Sequence, residues 1–494
     1  MTSEPRRHAG QVSAVLAVML LVVTVVGVAS YLAGRFLTDA PVEHADPVEH
    51  FKYGSLGSEH EFGMPYWVWR ALPELFADKL PGKGYQSLGF IFERGRDLPV
   101  GMSKRRYLGL DLVWLNCAFC HTGSVRDTPQ SEPWIVPAMP ANTFDLRRFI
   151  DFLFDAAVDP RFTPHRILLE IDRMGGDLDI VDRLVLRYYG LYYMRERILS
   201  LRARLQPLRQ LQPEPWGPGR VDTFNPLKVY FGFPLDKLPE RELVGTTDFP
   251  SIWNQEKRRR MHLHWDGNNS SLEERNRSAA LGAGVTPPTL DRANMKRVED
   301  WILTLAPPPY PYPIDRGLVA KGAPIYKTYC ADCHGADGQN FEGKWIGQVT
   351  PIEKIGTDPY RLNSYTLLVA QNQNLLYAGY ERFTHFRKTY GYANMPLDGL
   401  WLRAPYLHNG SVPTLRDLLE PSSRRPRTFH RGYDVYDRVR VGFVSTVPAE
   451  NGRPFFLFDT SQRGNGNAGH DGAAYGTELS SAEKDALIEY LKTF

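Results

Sequence analysis

All four cysteines of this chain fall in two Cys-x-x-Cys-His pentapeptides, Cys117-Ala-Phe-Cys120-His121 and Cys330-Ala-Asp-Cys333-His334. That spacing attaches haem c: each thiol adds across one vinyl group, and the next histidine is placed to bind the iron. A redox Cys-x-x-Cys or half of a zinc site is the competing reading. Zinc would need further cysteine or histidine ligands close by, and no cysteine is left over. Histidine is 13 of 494 residues, so meeting it after both pairs by chance is about one in 1,400. The sequence therefore predicts two covalent haems, with Cys117, Cys120, Cys330 and Cys333 as attachment residues and His121 and His334 as proximal ligands.

Residues 12–34 form an uncharged, mostly apolar run. As a helix, with a rise of about 1.5 Å per residue, it is long enough to cross a bilayer core. Arg6 and Arg7 precede it, whereas Asp39, Glu43, Asp46 and Glu49 follow Arg35. The positive-inside bias puts the tail in the cytoplasm and the body in the periplasm, on a single-pass inner-membrane anchor. A cleaved signal peptide would have a shorter apolar core, of about 7–15 residues. Either way the body is exported, and in an oxidising compartment haem must claim the four thiols. A net charge of +3 gives no argument for nucleic acid.

The fold class expected is mainly α: two tandem cytochrome c domains with long loops, after one transmembrane helix. Residues 1–35 are tail and anchor, 36–313 the N-terminal catalytic domain, and 314–494 the C-terminal relay domain. Residues 36–60 read as a polar stalk, and 60–106 as loop with short helices. In cytochrome c domains a helix before the motif crosses a closing helix beside the haem. The closing helices are placed at Asp291–Leu305 and Leu479–Lys492, the second with a Ser480/Glu483 capping box. Pro307 to Pro313 forbids helix and makes an extended linker. The first domain carries an insertion, in which Pro164–Leu211 reads as two helices broken near Gly175-Gly176. Its arginines (Arg195, Arg197, Arg202, Arg204 and Arg209) suit a solvated face, with docking to an acidic donor protein or lipid headgroups as the alternative.

What sits opposite each proximal histidine decides between electron carrier and reactive centre. His470 stands in a glycine-rich loop just before the terminal helix, His408 in Pro405-Tyr-Leu-His408-Asn-Gly, and Met395 in Asn394-Met395-Pro396.

The stretch Pro396-Leu-Asp-Gly-Leu-Trp-Leu-Arg-Ala-Pro-Tyr-Leu-His-Asn-Gly-Ser-Val-Pro-Thr-Leu415 resembles the signature of the dihaem cytochrome c peroxidase superfamily. The specific resemblance is to its rubber-oxygenase-like branch, which includes fatty-acid dioxygenases. Asn116–Gly123, Gly217–Asn225, Trp265–Asn269 with Glu274-Arg-Asn276, and Asn467–Lys492 are similar too. The resemblance implies a catalytic first haem on His121 and a six-coordinate relay haem on His334. Its second ligand would be His470, then His408, then Met395. Asn394-Met395 departs from the basic pair more usual in the branch, and the chain is shorter than the polymer-cleaving oxygenases.

A peroxidase needs a group that moves a proton between the two peroxide oxygens. Glu273 and Glu274, near Trp265 and Arg275, are the candidates. The competing reading for these glutamates is an exposed helix face. Trp265 or Trp253 suits an electron path between the haems, and Arg220, in a Gly-Pro-Gly turn, a haem propionate. The expected function is peroxide reduction at the first haem. Oxygenation of an apolar unsaturated substrate by O2 is the first rival, and plain dihaem electron transfer the second. Expected partners are a small-molecule oxidant, a donor such as a small cytochrome c or cupredoxin, and the membrane; one calcium ion is a further candidate cofactor.

Overall fold

The computed structural model describes residues 5–494, with side chains from residue 14 onward; Arg6 and Arg7, which carry the expected topology bias, lie outside the described side chains. Helix α1 (Pro5–Phe36) contains Ala14–Phe36, long and apolar enough for a membrane span or a signal sequence (mean hydropathy 2.6). Its apolar window is not buried against the body.

Helices carry most of the ordered chain, and every strand has six residues or fewer. The stretch expected to be a stalk is in fact structural. Asp46 caps α2 (Pro47–Tyr53) by accepting from Glu49 N, and Phe51 and Tyr53 are buried. The segment leading into the first motif is a hairpin, not a helix. Strands β1 (Ala40–Pro41), β2 (Met64–Pro65), β3 (Met102–Tyr107) and β4 (Leu110–Leu115) form one sheet in the order β1-β3-β4-β2. Leu108 and Gly109, with φ of 49° and 77°, make the two-residue turn between β3 and β4, where both residues must take positive φ. Met102 and Val113 point into the core.

The insertion holds α3 (Pro164–Arg173), then α4 (Ile180–Val185), a π turn (Leu186–Gly190) and α5 (Leu191–Leu211). The break falls where expected, with Gly175 at φ 71°. Beyond it lie α6 (Leu272–Gly282) and α7 (Arg292–Thr304), the latter capped by Asp291. The crossing partner of α7 is α2, with the rings of Phe51 and Trp301 4.9 Å apart.

Residues 307–313 are extended as the prolines require, but packed rather than free. Tyr310 is buried and donates to Arg438 O (3.1 Å), and Trp401 Nε1 donates to Pro308 O (3.1 Å). Helix α8 (Arg316–Tyr329) crosses α9 (Ser481–Leu491) beside the second motif. The Ser480/Glu483 box is formed, and Leu487, Ile488 and Leu491 are buried. The crossing is close at Gly322, where a Cβ would come within 2.1 Å of Ala486 O; only glycine fits there. Strand β5 (Val349–Pro351) pairs antiparallel with β6 (Gly391–Ala393).

A buried carboxylate joins the two halves. Asp398 accepts from Asn254 Nδ2 (2.8 Å), Arg258 and Arg403 Nη2 (2.5 Å). Burial alone would raise its pKa, but the two guanidiniums more than offset that and hold it below the usual carboxylate range. Its contribution is therefore complete above the unfolded pKa and is lost as pH falls through the lowered folded value. Asp398→Ala leaves two buried cations without their anion and should cost about 3–5 kcal/mol. Denaturant titration checks this, and a loss under about 1 kcal/mol contradicts it.

Candidate haem sites

Strand β4 runs straight into the first motif, where Asn116 fixes the turn. Its Oδ1 accepts from Ala118 N (3.0 Å), and its Nδ2 donates to the carbonyls of Lys52 (3.3 Å) and Gly54 (3.0 Å). His121 follows with Nδ1 2.9 Å from Pro250 O. At the second motif, His334 Nδ1 lies 2.7 Å from Met395 O. A carbonyl can only accept, so Nδ1 carries the proton on each ring. Nε2 is left as a free lone pair, the form a metal ligand needs.

The cysteines and both histidines sit deep inside the protein yet remain partly accessible, as residues lining internal clefts do. Burial pushes the Cys117 and Cys330 thiols up to about 12, and that of Cys120 higher still. That is the reverse of the lowered thiol of a redox Cys-x-x-Cys. Among the described residues no three His, Cys, Asp or Glu side chains gather as a metal cage.

The second site is closed on both sides. His470, at φ 57°, is carried by a loop whose carbonyls at 467, 469 and 470 accept from Arg425. Its ring centroid lies 6.2 Å from that of His334, with the planes 26° from parallel. Two metal–imidazole bonds of about 2.0–2.1 Å, each with about 1.1 Å from nitrogen to ring centre, need roughly the same gap. Burial lowers both pKa values, that of His470 to about 3, so both rings are neutral. Met395 serves His334 through its carbonyl.

His408 belongs to a different environment. It is buried, lies against Tyr392 with the rings tilted by 37° (4.4 Å), and feels the charges of Arg361 and Arg220. Arg220 donates to Trp216 O (3.0 Å) and Asn465 Oδ1 (2.9 Å), and burial lowers its pKa to about 9. His408 Nε2, Arg220 Nε and Arg361 Nε are all buried without acceptors. Two buried guanidiniums within electrostatic reach of one histidine fit the carboxylates of a haem propionate edge.

The surroundings of His121 were only partly legible in the sequence. His264, at φ 64°, lies within electrostatic reach of His121. Its Nδ1 lies 2.6 Å from Asn268 Oδ1, and its ring stacks on Phe386 (6.3 Å, 20°). Burial lowers His264 to about 4. Arg275 is buried too, donates to Asn276 Oδ1 (3.0 Å), and is felt by Cys117, His121 and His264. A histidine in the left-handed region was the missing signal, and such strain shows in coordinates rather than in sequence.

The two glutamates point elsewhere. Glu273 is exposed and pairs with Arg259. Glu274 accepts from Thr384 N (2.8 Å) and Oγ1 (3.1 Å), and from His385 N (2.9 Å) and Nδ1 (2.9 Å), which fills its lone pairs. It thereby anchors the loop that carries Phe386 against His264. Trp265 donates to Asp248 O (2.8 Å), and its carbonyl accepts from Ala393 N (2.9 Å). Trp253 is core, with Nε1 on Pro137 O (3.1 Å).

Replacing Cys117 and Cys120 with alanine should remove one covalent haem, and replacing Cys330 and Cys333 the other, counted by haem staining and pyridine haemochrome. His470→Ala should turn the second haem from low to high spin and leave the first unchanged. Unchanged low-spin signals would pass the role to another side chain.

Residues 391–430 match the family described as RoxA-like, cytochrome c-like. The chain is 33% identical over 290 residues to the uncharacterised protein y4iM of Sinorhizobium fredii (strain NBRC 101917 / NGR234), covering 50% of this chain and 64% of that one. It is 27% identical over 555 residues to the uncharacterised protein y4iJ of the same organism, covering 87% and 89%. The chain thus spans just under two thirds of the first relative's length. The match over 391–430 is to part of a RoxA-like, cytochrome c-like domain, and a domain of that kind implies covalently bound haem c with its iron.

Proposed function

We propose that this protein is a membrane-anchored, periplasm-facing dihaem oxidoreductase that reduces hydrogen peroxide at the His121 site. Electrons from a small cytochrome c or cupredoxin would enter through the His334/His470 site. The observation that carries the reading is the contrast between the two sites. His334 and His470 face each other across the width of one coordinated metal, which leaves no position for an oxidant. The His121 ring instead has Phe249 at 6.5 Å and no imidazole paired with it among the described residues, while the buried Arg275 and His264, pinned at one nitrogen, lie within electrostatic reach.

Cys117, Cys120 and His121 would hold a haem c, which when bound would supply the redox chemistry for peroxide reduction. The rest is done by side chains. Asn268 Oδ1 holds the proton on His264 Nδ1, so Nε2 is free to take one proton from the inner peroxide oxygen and return it to the outer. Arg275 favours the negative charge that develops as the oxygens separate. Two electrons and two further protons complete the conversion of one peroxide to two waters. Phe386 and the Glu274-anchored loop keep the His264 ring in place.

Oxygenation of an apolar unsaturated substrate is the second reading, favoured by the RoxA-like match over 391–430. Rapid mixing with peroxide tests the first. His264→Leu should slow peroxide cleavage by roughly 10²–10⁴-fold, with haem content and the second-site spectrum unchanged, while Glu273→Gln keeps the parent rate. A fast reaction in His264→Leu removes this residue from the mechanism. O2 uptake with an unsaturated lipid that exceeds peroxide turnover in the parent protein favours the second reading.

A further inference from the structure

We infer that the helical arm 180–192 lies flat on the membrane that α1 enters, and that its exposed side is a docking face for the lipid headgroup region. The inference rests on α1 acting as the anchor.

The placement comes from contacts at the end of α1. Arg35 pairs with Asp179 (2.5 Å) and with Asp182, at the start of α4. The next residue, Phe36, abuts the β3–β4 turn, where a Cβ on Gly109 would come within 2.7 Å of its ring. Gly190, at the far end of the π turn, lies against Leu110, where the corresponding distance is 3.8 Å. The arm is thus tied near the exit of α1 at both ends of the 182–190 stretch. It cannot stand up from that plane.

The outward face of this stretch is unusual. Ile180, Leu184, Tyr188 and Tyr192 follow one another at four-residue spacing and are 74%, 50%, 71% and 56% exposed. The π turn adds a residue to the helix, a feature that often marks functional positions. Leu37 and Leu108, beside the same exit, are exposed as well. Six large apolar or aromatic side chains facing solvent around one helix end are costly in water. Tyrosine, with an apolar ring and a polar tip, is a residue of membrane–water interfaces. Arg187, its guanidinium 6.0 Å from the Tyr188 ring, adds a cation suited to anionic headgroups. The occupant indicated is the bilayer surface around α1 itself, since the anchor's exit is where this face begins.

Radiolytic hydroxyl-radical footprinting of the full-length holoprotein in phosphatidylglycerol-containing nanodiscs tests this. Tyr390, 73% exposed and on the β5–β6 side of the body, is the internal reference. Tyr188 and Tyr192 should be oxidised at least threefold more slowly than Tyr390 in the same sample. Equal rates overturn the inference, as does protection that arises only when a donor cytochrome or cupredoxin is added. A chain that does not enter the discs overturns both the inference and the anchor it rests on. A chain that enters with a fully reactive arm overturns the inference alone.

Discussion

One interaction, used twice, sets up everything else: a backbone carbonyl that accepts the Nδ1–H hydrogen bond of a Cys-x-x-Cys-His histidine. Pro250 does this for His121 and Met395 for His334. Each bond fixes the tautomer and the ring direction, so the metal-binding nitrogen is decided before any haem is present. Each carbonyl comes from a segment remote in sequence. The fold therefore has to bring residue 250 to 121 and 395 to 334, and the core is arranged to do so.

The two segments are not independent. Trp265, next to His264, gives its carbonyl to Ala393 N, and two residues later Met395 meets His334. Asp248, two residues before Pro250, accepts both terminal nitrogens of Arg431 (3.0 and 2.9 Å). A buried charge pair of this kind adds little net stability, but losing one partner is expensive. Such pairs thus hold the two halves of the chain in one register, and in the proposed reading they keep the haem sites at fixed separation. The interlocking also explains why the proline-rich stretch at 307–313 is packed against Trp401.

The attachment residues, the closing helices and the Ser480 box were legible because each is a local pattern: a fixed spacing, a 3.6-residue period, a cap three residues from its partner. The glycine-rich loop and the family resemblance together pointed to His470, and the structure brings its ring 6.2 Å from that of His334. Residues 47–53 and 102–115 were not. Their apolar residues are few or are interleaved with Lys104, Arg105 and Arg106, and what buries them is a sheet assembled from four separated stretches. The roles of Glu273 and Glu274 were out of reach for a related reason. A capped α6 puts the first on the solvent side and commits the second to a loop more than a hundred residues away. His264 was passed over because one histidine among 13 carries no signal until its backbone and its neighbour Asn268 are placed.

The proposed reading rests on an asymmetry: it holds one centre closed by His334 and His470 and the other open on the side of iron away from His121. Electron paramagnetic resonance of the oxidised full-length protein tests it most directly. The account predicts one low-spin and one high-spin ferric haem per chain, the high-spin signal alone shifting when cyanide is added. Two low-spin haems indifferent to cyanide, or a single haem per chain, would contradict it.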